Sequence, residues 1–413
     1  MATTLEELQA NIRAAVTPGY RQQLLARGQA RGMIWRAGLL PIDAPQFSPE
    51  LSEDLLSFGY SLLLHGLRYV DLGGDFSLAR VAFEVAAESI EAVVARGEAD
   101  ENRDFHRLVA GASYHLGRYS ARAYSLLFQG LSESNLSVVE RCLAQLMLRD
   151  LEGVNMGVSS WFGSGVGSDE NLMAAFDPAV GTGADAEEEE SEGGGAIEAM
   201  TLALEGNFLA AMSQTLLALE RGEQSLVLQA QARLREGLSV AGELNLVSQW
   251  WAHRLAVHIV DGLWANSFHA LLPSEGPSGA DVGNWAHLRK LFIASLMCRR
   301  RAEIELWPSQ IEATKRVLDF DANLVLSLPT SAGKTRIAEL CILACLARGK
   351  RVVFVTPLRA LSAQTEVSLR TTFGALGKSV SSLYGSIGAS GSDVDALKSQ
   401  DSVVSTPEKL DSH

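Results

Sequence analysis

The segment that most constrains this chain is an apolar run that leads into a glycine-lysine-threonine triplet. Residues 323–327 predict a buried strand, and residues 336–346 predict a buried helix. Between them, residues 328–335 read LPTSAGKT. Strand, loop and helix in this order are the context of a P-loop, in which backbone N–H groups at a helix N-terminus bind phosphate oxygens. The segment therefore predicts an α/β unit with a site for a nucleotide phosphate tail.

Each residue type in the triplet has a chemical reason. Gly333 lets the backbone approach a phosphate, Lys334 places a positive charge on the β- and γ-phosphates, and the Thr335 hydroxyl is placed to ligate Mg²⁺. The general motif has glycine where this chain has Leu328, and a chance triplet in a turn is the alternative when the motif is taken alone. The loop residues predicted to bind the nucleotide are Pro329, Thr330, Ser331, Ala332, Gly333, Lys334 and Thr335.

Charge is spread unevenly along the chain. The 413 residues are 47% hydrophobic and 20% charged, which is typical of a globular protein with two or three domains. The net charge is −14, but residues 301–413 contain 13 Lys and Arg against 12 Asp and Glu. An acidic N-terminal part binds polyanions poorly, so we expect any nucleic-acid path to lie on the C-terminal part.

The sequence gives no indication of export. No apolar run has the length needed to span a bilayer, and the N-terminus lacks the basic and apolar regions of a secretory signal. The four cysteines have no metal-ligand spacing, and Cys341 and Cys345 are interpreted as apolar core residues rather than a redox pair. We therefore expect a cytoplasmic protein with no membrane partner.

The first 302 residues predict mainly helices. Residues 108–124 resemble a tetratricopeptide unit, and residues 202–219 repeat the pattern more weakly. Two imperfect units are fewer than a regular array needs, so we predict helix pairs that are partly tetratricopeptide-like and could bind a protein partner. His253 and His258 are interpreted as core histidines rather than zinc ligands. The arginines at 299–301 are interpreted either as nucleic-acid contacts or as a solvated helix end.

A glycine-rich acidic segment, residues 159–195, interrupts the helical pattern. It contains four consecutive glutamates and three consecutive glycines, a composition that cannot bury a core. We interpret it as a mobile acidic loop, and favour a solvated insertion over an autoinhibitory mimic of nucleic-acid phosphates. The predicted domains are residues 1–158 (helical), 159–195 (loop), 196–302 (continuation of the helical domain) and 303–413 (incomplete α/β domain).

Three further segments accompany the loop. Residues 306–313 read LWPSQIEA, residues 352–364 read VVFVTPLRALSAQ, and residues 403–411 read VVSTPEKLD. In order and spacing, these segments and the P-loop resemble the start of a superfamily 2 DExH/DEAD-box helicase core, most closely its Ski2-like branch. The resemblance covers about the last quarter of the chain. It implies a RecA-like P-loop domain with a parallel sheet, ATP and Mg²⁺ as cofactors, and DNA or RNA as a partner.

The resemblance also implies roles for individual residues. Gln310 corresponds to an adenine-reading glutamine, whose amide both donates and accepts hydrogen bonds. The later segments correspond to motifs that lie along one strand of nucleic acid, although Arg359 and Lys409 alone would be interpreted as surface charges. Residues 384–386 correspond to an intervening nucleic-acid loop. The implied nucleic-acid contacts are Pro357, Arg359, Gln364, Thr406, Pro407 and Lys409.

The predicted strands are residues 323–328, 351–355, 380–384 and 402–405, with helices between them. The predicted fold class is therefore a mostly α-helical N-terminal region followed by an incomplete α/β domain with a parallel sheet. The acidic DExH motif and the second RecA-like lobe do not occur before His413. We therefore expect this chain to be the N-terminal portion of a longer helicase, with negligible ATPase activity by itself.

A long helical region ahead of such a motor resembles bacterial anti-phage defence helicases of the Hachiman type, which implies a role in phage defence. On this hypothesis the full-length protein hydrolyses ATP and moves along nucleic acid. The alternative is a helical protein-interaction module with an inert helicase remnant. Another P-loop class, such as a kinase, is disfavoured by the segments around Gln310 and residues 357–364.

Overall fold

The structure is a computed structural model in which most of the chain is helical. Helices fill the N-terminal region, and a small parallel sheet lies near the C-terminus, which confirms the predicted fold class. The residues that the structure describes are 4–36, 50–95, 102–131, 135–167, 188–277, 279–299, 301–318, 323–328, 333–383 and 391–411.

The chain divides into two compact units. The first contains Met1–Ala218 and Glu223–Gly262, and the second contains Leu219–Gly222 and Leu263–His413. The boundary at Gly262 differs from the predicted one between residues 302 and 303. The reason is packing, because Trp285 and Phe292 are buried in the same hydrophobic core as the helix that follows the P-loop.

Eleven helices lie wholly or largely in the described part of the first unit. Their bounds are α1 Leu5–Val16, α2 Tyr20–Arg36, α3 Glu50–Asp71, α4 Phe76–Val94, α5 Arg103–Leu116, α6 Ser120–Leu131, α7 Val138–Met147, α8 Leu151–Gly163, α9 Glu188–Arg221, α10 Gln224–Glu243 and α11 Val247–Ala265. Helices α3 to α6 pack in sequence, each against its immediate neighbours along the chain. This stepwise packing agrees with the helix pairs predicted from the sequence.

The two ends of the predicted acidic loop are helical. Residues 159–163 belong to α8 and residues 188–195 belong to α9, while residues 168–187 lie outside the described part of the chain. In α8, burial of Val154, Val158 and Trp161 on one face outweighs the low helix propensity of its glycines.

One stretch of α9 differs from the expectation that no segment could span a bilayer. Gly195–Arg221 is long and apolar enough to do so by length and composition. This is weak evidence for a membrane segment, since a helix that is buried inside a protein has the same composition. Phe208, Leu209 and Met212 of this stretch are fully buried within the protein.

The second unit combines helices with the sheet. Its elements are α12 Phe268–Leu271, α13 Val282–Met297, α14 Pro308–Val317, α15 Lys334–Ala347, β1 Val352–Val355, α16 Arg359–Gly374, β2 Val380–Ser382, α17 Gly391–Ser399, β3 Ser402–Ser405 and α18 Pro407–Asp411. The strand order is β1-β3-β2 and both pairs are parallel. Three of the four predicted strands are therefore confirmed.

The fourth predicted strand, residues 323–328, is wrong, because this segment has no regular secondary structure. A strand needs a neighbour for its backbone N–H and C=O groups, and no described segment pairs with it. Leu326 and Leu328 pack partly against the core, whereas Val325 is 93% exposed. The apolar run reflects the partial burial of alternate residues, which by itself does not supply the backbone hydrogen bonds of a strand.

Candidate nucleotide and nucleic-acid site

The described end of the P-loop has the geometry of a phosphate-binding turn. Gly333 has φ 76° and ψ 35° and directly precedes α15. This left-handed conformation favours glycine. Lys334 and Thr335 are exposed in the first turn of the helix, where N–H groups lack intrahelical partners and the dipole is positive. Residues 329–332, which the sequence predicts to complete the cradle, lie outside the described residues.

Gln310 is buried against this turn. Its side-chain Nε2 donates to the Gly333 carbonyl at 3.1 Å, and its Oε1 accepts from the Trp307 N–H at 2.8 Å. A Cβ on Gly333 would lie 2.1 Å from that Nε2, so only glycine fits here. These two bonds use one N–H and one lone pair of the amide, which has two of each. Gln310 thus ties the start of α14 to the nucleotide loop, and adenine recognition stays a prediction.

The two predicted nucleic-acid segments lie side by side. Val355 of β1 pairs with Ser405 of β3, and the Thr356 N–H donates to the Ser405 carbonyl at 2.9 Å. Both segments therefore leave the same edge of the sheet, at the carboxyl ends of the strands. Ligands bind at this edge in open parallel sheets. The predicted contacts that are exposed there or on the following helix are Pro357, Arg359, Gln364 and Pro407.

A buried hydroxyl pair that the sequence did not single out fixes the start of α16. Thr356 Oγ1 and Ser362 Oγ are 2.5 Å apart, and both residues are buried. The N-terminal residue before the helix, Leu358, gives no side-chain cap. The first N–H groups of α16 therefore receive no capping bond from Leu358, and they belong to exposed residues such as Arg359, an arrangement that suits a phosphate oxygen of a nucleic-acid backbone.

Lys409 and Thr406 occupy positions that differ from the prediction. Both residues are buried, and Lys409 Nζ forms an ion pair with Asp393 Oδ2 at 2.8 Å. The two side chains are 6% and 7% exposed. The ammonium of Lys409 thus acts inside the protein and joins α18 to α17, rather than lying on the surface where a strand would pass. Nothing in the local sequence pattern links Asp393 to this lysine.

Comparison with known proteins agrees with this geometry. Residues 307–413 match the DEAD/DEAH box helicase family. The chain is 21% identical to the Hachiman protein HamB of Bacillus cereus over 394 residues, which are 95% of this chain and 32% of HamB. It is 38% identical to the ATP-dependent DNA helicase Hel308 of Methanocella arvoryzae over 14% of this chain and 8% of Hel308. It is 47% identical to the chloroplastic DExH-box ATP-dependent RNA helicase DExH15 of Arabidopsis thaliana over 13% of this chain and 4% of that protein.

The chain spans about a third of HamB and less than a tenth of the other two relatives. The matches to Hel308 and DExH15 cover short stretches, whereas the match to HamB includes the helical region. We refer to residues 307–413 as the helicase segment.

An ion cluster at the helix that follows the P-loop turn is formed by Arg299, Glu303, Arg336, Glu339 and Thr372. Arg336, Glu339 and Thr372 are buried, whereas Arg299 and Glu303 are partly exposed. Arg336 binds the carboxylates of Glu303 and Glu339, and Arg299 binds Glu303 at 2.6 Å. Burial raises the pKa of Glu339 above its usual range, and the nearby guanidinium of Arg336 opposes this effect. Arg299, which the sequence left as a nucleic-acid contact or a solvated residue, is instead part of this cluster.

The described residues hold no group of three or more His, Cys, Asp or Glu side chains that could bind a metal ion. The exposed Thr335 hydroxyl, next to Lys334 at the helix N-terminus, fits the role of an Mg²⁺ ligand in a nucleotide complex. His253 is fully buried, and its Nδ1 donates to the Gln249 carbonyl at 2.8 Å. That bond satisfies one ring nitrogen inside the protein, in agreement with the interpretation of His253 as a core residue.

Proposed function

We propose that the helicase segment binds ATP at the N-terminus of α15 and lays a nucleic-acid strand along the carboxyl ends of β1 and β3. It does so as part of an ATP-dependent helicase or translocase. The observation that carries the proposal is the bond from Thr356 to Ser405, because it sets the segment of the exposed Pro357 and Arg359 at the same sheet edge as the segment of Pro407. These segments share one unit with the P-loop turn at Gly333.

The chain's own residues would hold the nucleotide in three ways. N–H groups at the start of α15 donate to phosphate oxygens, Lys334 pairs with the β- and γ-phosphates, and the Thr335 hydroxyl ligates the metal. A bound Mg²⁺ supplies neutralisation of the phosphate charge. Gln310 holds the Gly333 carbonyl and so keeps the turn in its left-handed conformation.

The strand contact would be made mainly to phosphates. Exposed N–H groups at the start of α16 and the Arg359 guanidinium are donors that fix the register of a strand without reading its sequence. The helicase segment is nearly neutral overall, so this contact depends on a local arrangement of donors rather than on net charge. Binding should accordingly weaken as the salt concentration rises.

Substitution of Lys334 tests the nucleotide site. We expect Lys334→Ala to weaken binding of a fluorescent ATP analogue by about tenfold or more, because one charge-assisted contact to the phosphates is lost. Lys350→Ala is the matched control, since Lys350 is also exposed and follows the other end of the same helix. Equal affinities of the two variants would exclude the P-loop as the nucleotide site.

A protein-interaction role of the helical region is the second candidate. It is supported by the stepwise packing of α3 to α6 and by the ring of Phe128, which stacks on Tyr124 and is 58% exposed. On this alternative the helicase segment is inert, so Lys334→Ala would leave every measurable activity of the protein unchanged.

We also propose that the protein acts in the cytoplasm in defence against phages, as the Hachiman-type resemblance implies. The similarity to HamB along 95% of the chain supports this proposal. The efficiency of plaque formation, measured in bacteria that express the protein, should rise when Lys334 is replaced by alanine. No protection by the unaltered protein against any phage of a broad panel would refute the proposal.

A further inference from the structure

The ion cluster, whose members Arg336, Glu339 and Thr372 are buried, joins the two helices that carry the proposed ATP and nucleic-acid contacts. Arg336 directly follows Thr335 in α15, and its guanidinium binds Glu339 one turn further along the same helix. Thr372 belongs to the last turn of α16, and its hydroxyl lies 3.0 Å from Glu339 Oε1. A single threonine hydroxyl thus connects the P-loop helix to the helix whose first turn faces the proposed strand.

The connection is reinforced by charge. Arg299 donates to the Thr372 hydroxyl at 2.8 Å and to Glu303 at 2.6 Å. The proton of the Thr372 hydroxyl has two acceptors within reach, Glu339 and the Ser368 carbonyl at 3.2 Å. Hydrogen bonds to ionised groups are about twice as strong as neutral ones, so the bond to Glu339 is the stronger of the two.

The surroundings make the cluster costly to disturb. Glu339 and Thr372 are each 1% exposed. The guanidinium carbon of Arg336 lies 6.0 Å from the centre of the Phe268 ring and 5.9 Å from that of Phe292. A shift of α16 relative to α15 would leave a buried carboxylate short of a hydrogen bond, and an unsatisfied buried acceptor is unfavourable.

We propose that Thr372, Glu339 and Arg336 are positioning residues that couple nucleic-acid binding at α16 to nucleotide binding at α15. The inference rests on the proposed function of the helicase segment. Arg336 anchors the first turn of α15, in which Lys334 and Thr335 meet the phosphates, and Thr372 makes the position of that turn depend on α16. A strand bound at the start of α16 therefore changes the affinity for nucleotide through this hydroxyl.

The experiment measures the dissociation constant of mant-ATP for the 413-residue chain, with and without saturating single-stranded oligothymidine or oligouridine. The ratio of the two constants is the coupling factor, and linkage requires the same factor for the effect of nucleotide on nucleic-acid binding. We expect Thr372→Val to lower the coupling factor about 3- to 10-fold, because it removes the hydroxyl and keeps the shape. Thr372→Ser, which restores the hydroxyl, should retain the coupling.

Thr371→Val is the matched control. Thr371 is the neighbouring residue of α16, and its exposed hydroxyl donates to the Val367 carbonyl of the same helix. Equal coupling factors for Thr371→Val, Thr372→Ser and Thr372→Val would overturn the inference, even if Thr372→Val alone melted at a lower temperature. Independent binding of nucleotide and nucleic acid by the unaltered chain would overturn it and leave the proposed function standing. If Lys334→Ala left the affinity for mant-ATP unchanged, both the coupling and the proposed function would be refuted.

Discussion

At the scale of single residues, burial decides which of the predicted charges can meet a ligand. Arg359 is exposed at the start of α16, whereas Lys409 is enclosed with Asp393. A buried pair of opposite charges adds little when intact, but removal of one partner leaves an uncompensated charge. Lys409 therefore stabilises the segment after β3 from inside the protein, and among the predicted contacts Arg359 is the cation of this edge that is open to solvent.

Substitution of Asp393 tests this assignment. We expect Asp393→Asn to reduce the free energy of unfolding by about 3 kcal/mol, because the Lys409 ammonium loses its buried carboxylate. Urea unfolding followed by circular dichroism measures the change. Asp395→Asn is the matched control, since Asp395 is exposed on the same helix. If both variants unfold at the same urea concentration, the buried ion pair is not a determinant of stability.

At the scale of elements, the space around a glycine shows how closely two helices approach each other. Gly59 of α3 faces α4, where an added Cβ would lie 2.7 Å from Ile90 Cγ1 and 3.1 Å from the Ala86 carbonyl oxygen. Gly157 of α8 has nothing within 4 Å of the same position. One glycine is thus required by packing, while the other only weakens its helix.

The same substitution at these two sites should act in opposite directions. We expect Gly59→Ala to destabilise the protein by about 1–3 kcal/mol through overpacking. Gly157→Ala should stabilise it by about 0.5–1 kcal/mol, because alanine favours the helix. Thermal melting of both variants beside the unaltered protein measures this contrast. Unchanged stability in Gly59→Ala would contradict the described close approach of α3 and α4, and a loss at Gly157 as large as that at Gly59 would contradict the open space beside Gly157.

At the scale of the whole molecule, the free energy of unfolding depends on pH through buried groups. His258 is buried in the first unit, with Nε2 3.3 Å from Asp71 Oδ1. Burial lowers the pKa of His258 to about 4, and Asp71 opposes this effect. The folded state therefore binds fewer protons than the unfolded state between the ordinary value of 6.5 and about 4. The stability from neutral His258 is complete above pH 6.5 and is lost as the pH falls through this window.

We expect the free energy of unfolding to fall by on the order of 2–3 kcal/mol between pH 6.5 and pH 4 because of this histidine. His258→Gln should remove that part of the pH dependence, since glutamine does not titrate. His287→Gln, at an exposed histidine, should leave the profile unchanged. Urea titrations at several pH values provide the measurement, and identical profiles for all three proteins would show that His258 does not titrate as described.

The elements of the helicase segment followed from local patterns. The alternation between apolar runs and helical periods predicted β1, β2 and β3, and the triplet ending in Thr335 predicted the start of α15. Residues 323–328 have the same apolar character, yet they form no strand because no described partner pairs with them. The sequence did not predict the helical end of α8, because burial of residues such as Trp161 outweighs the glycine content of this segment.

The sequence by itself determined the fold class, the position of the glycine turn before α15 and the two segments at the sheet edge. These features depend on neighbouring residues and on periodicity, which a linear chain records directly. Only the tertiary structure decided that Lys409 is paired with Asp393 and that Arg299 and Thr372 meet Glu339. Such partners are 16 to 73 residues apart, and burial by the rest of the fold, which no local pattern encodes, determines whether a charge faces a ligand or another side chain.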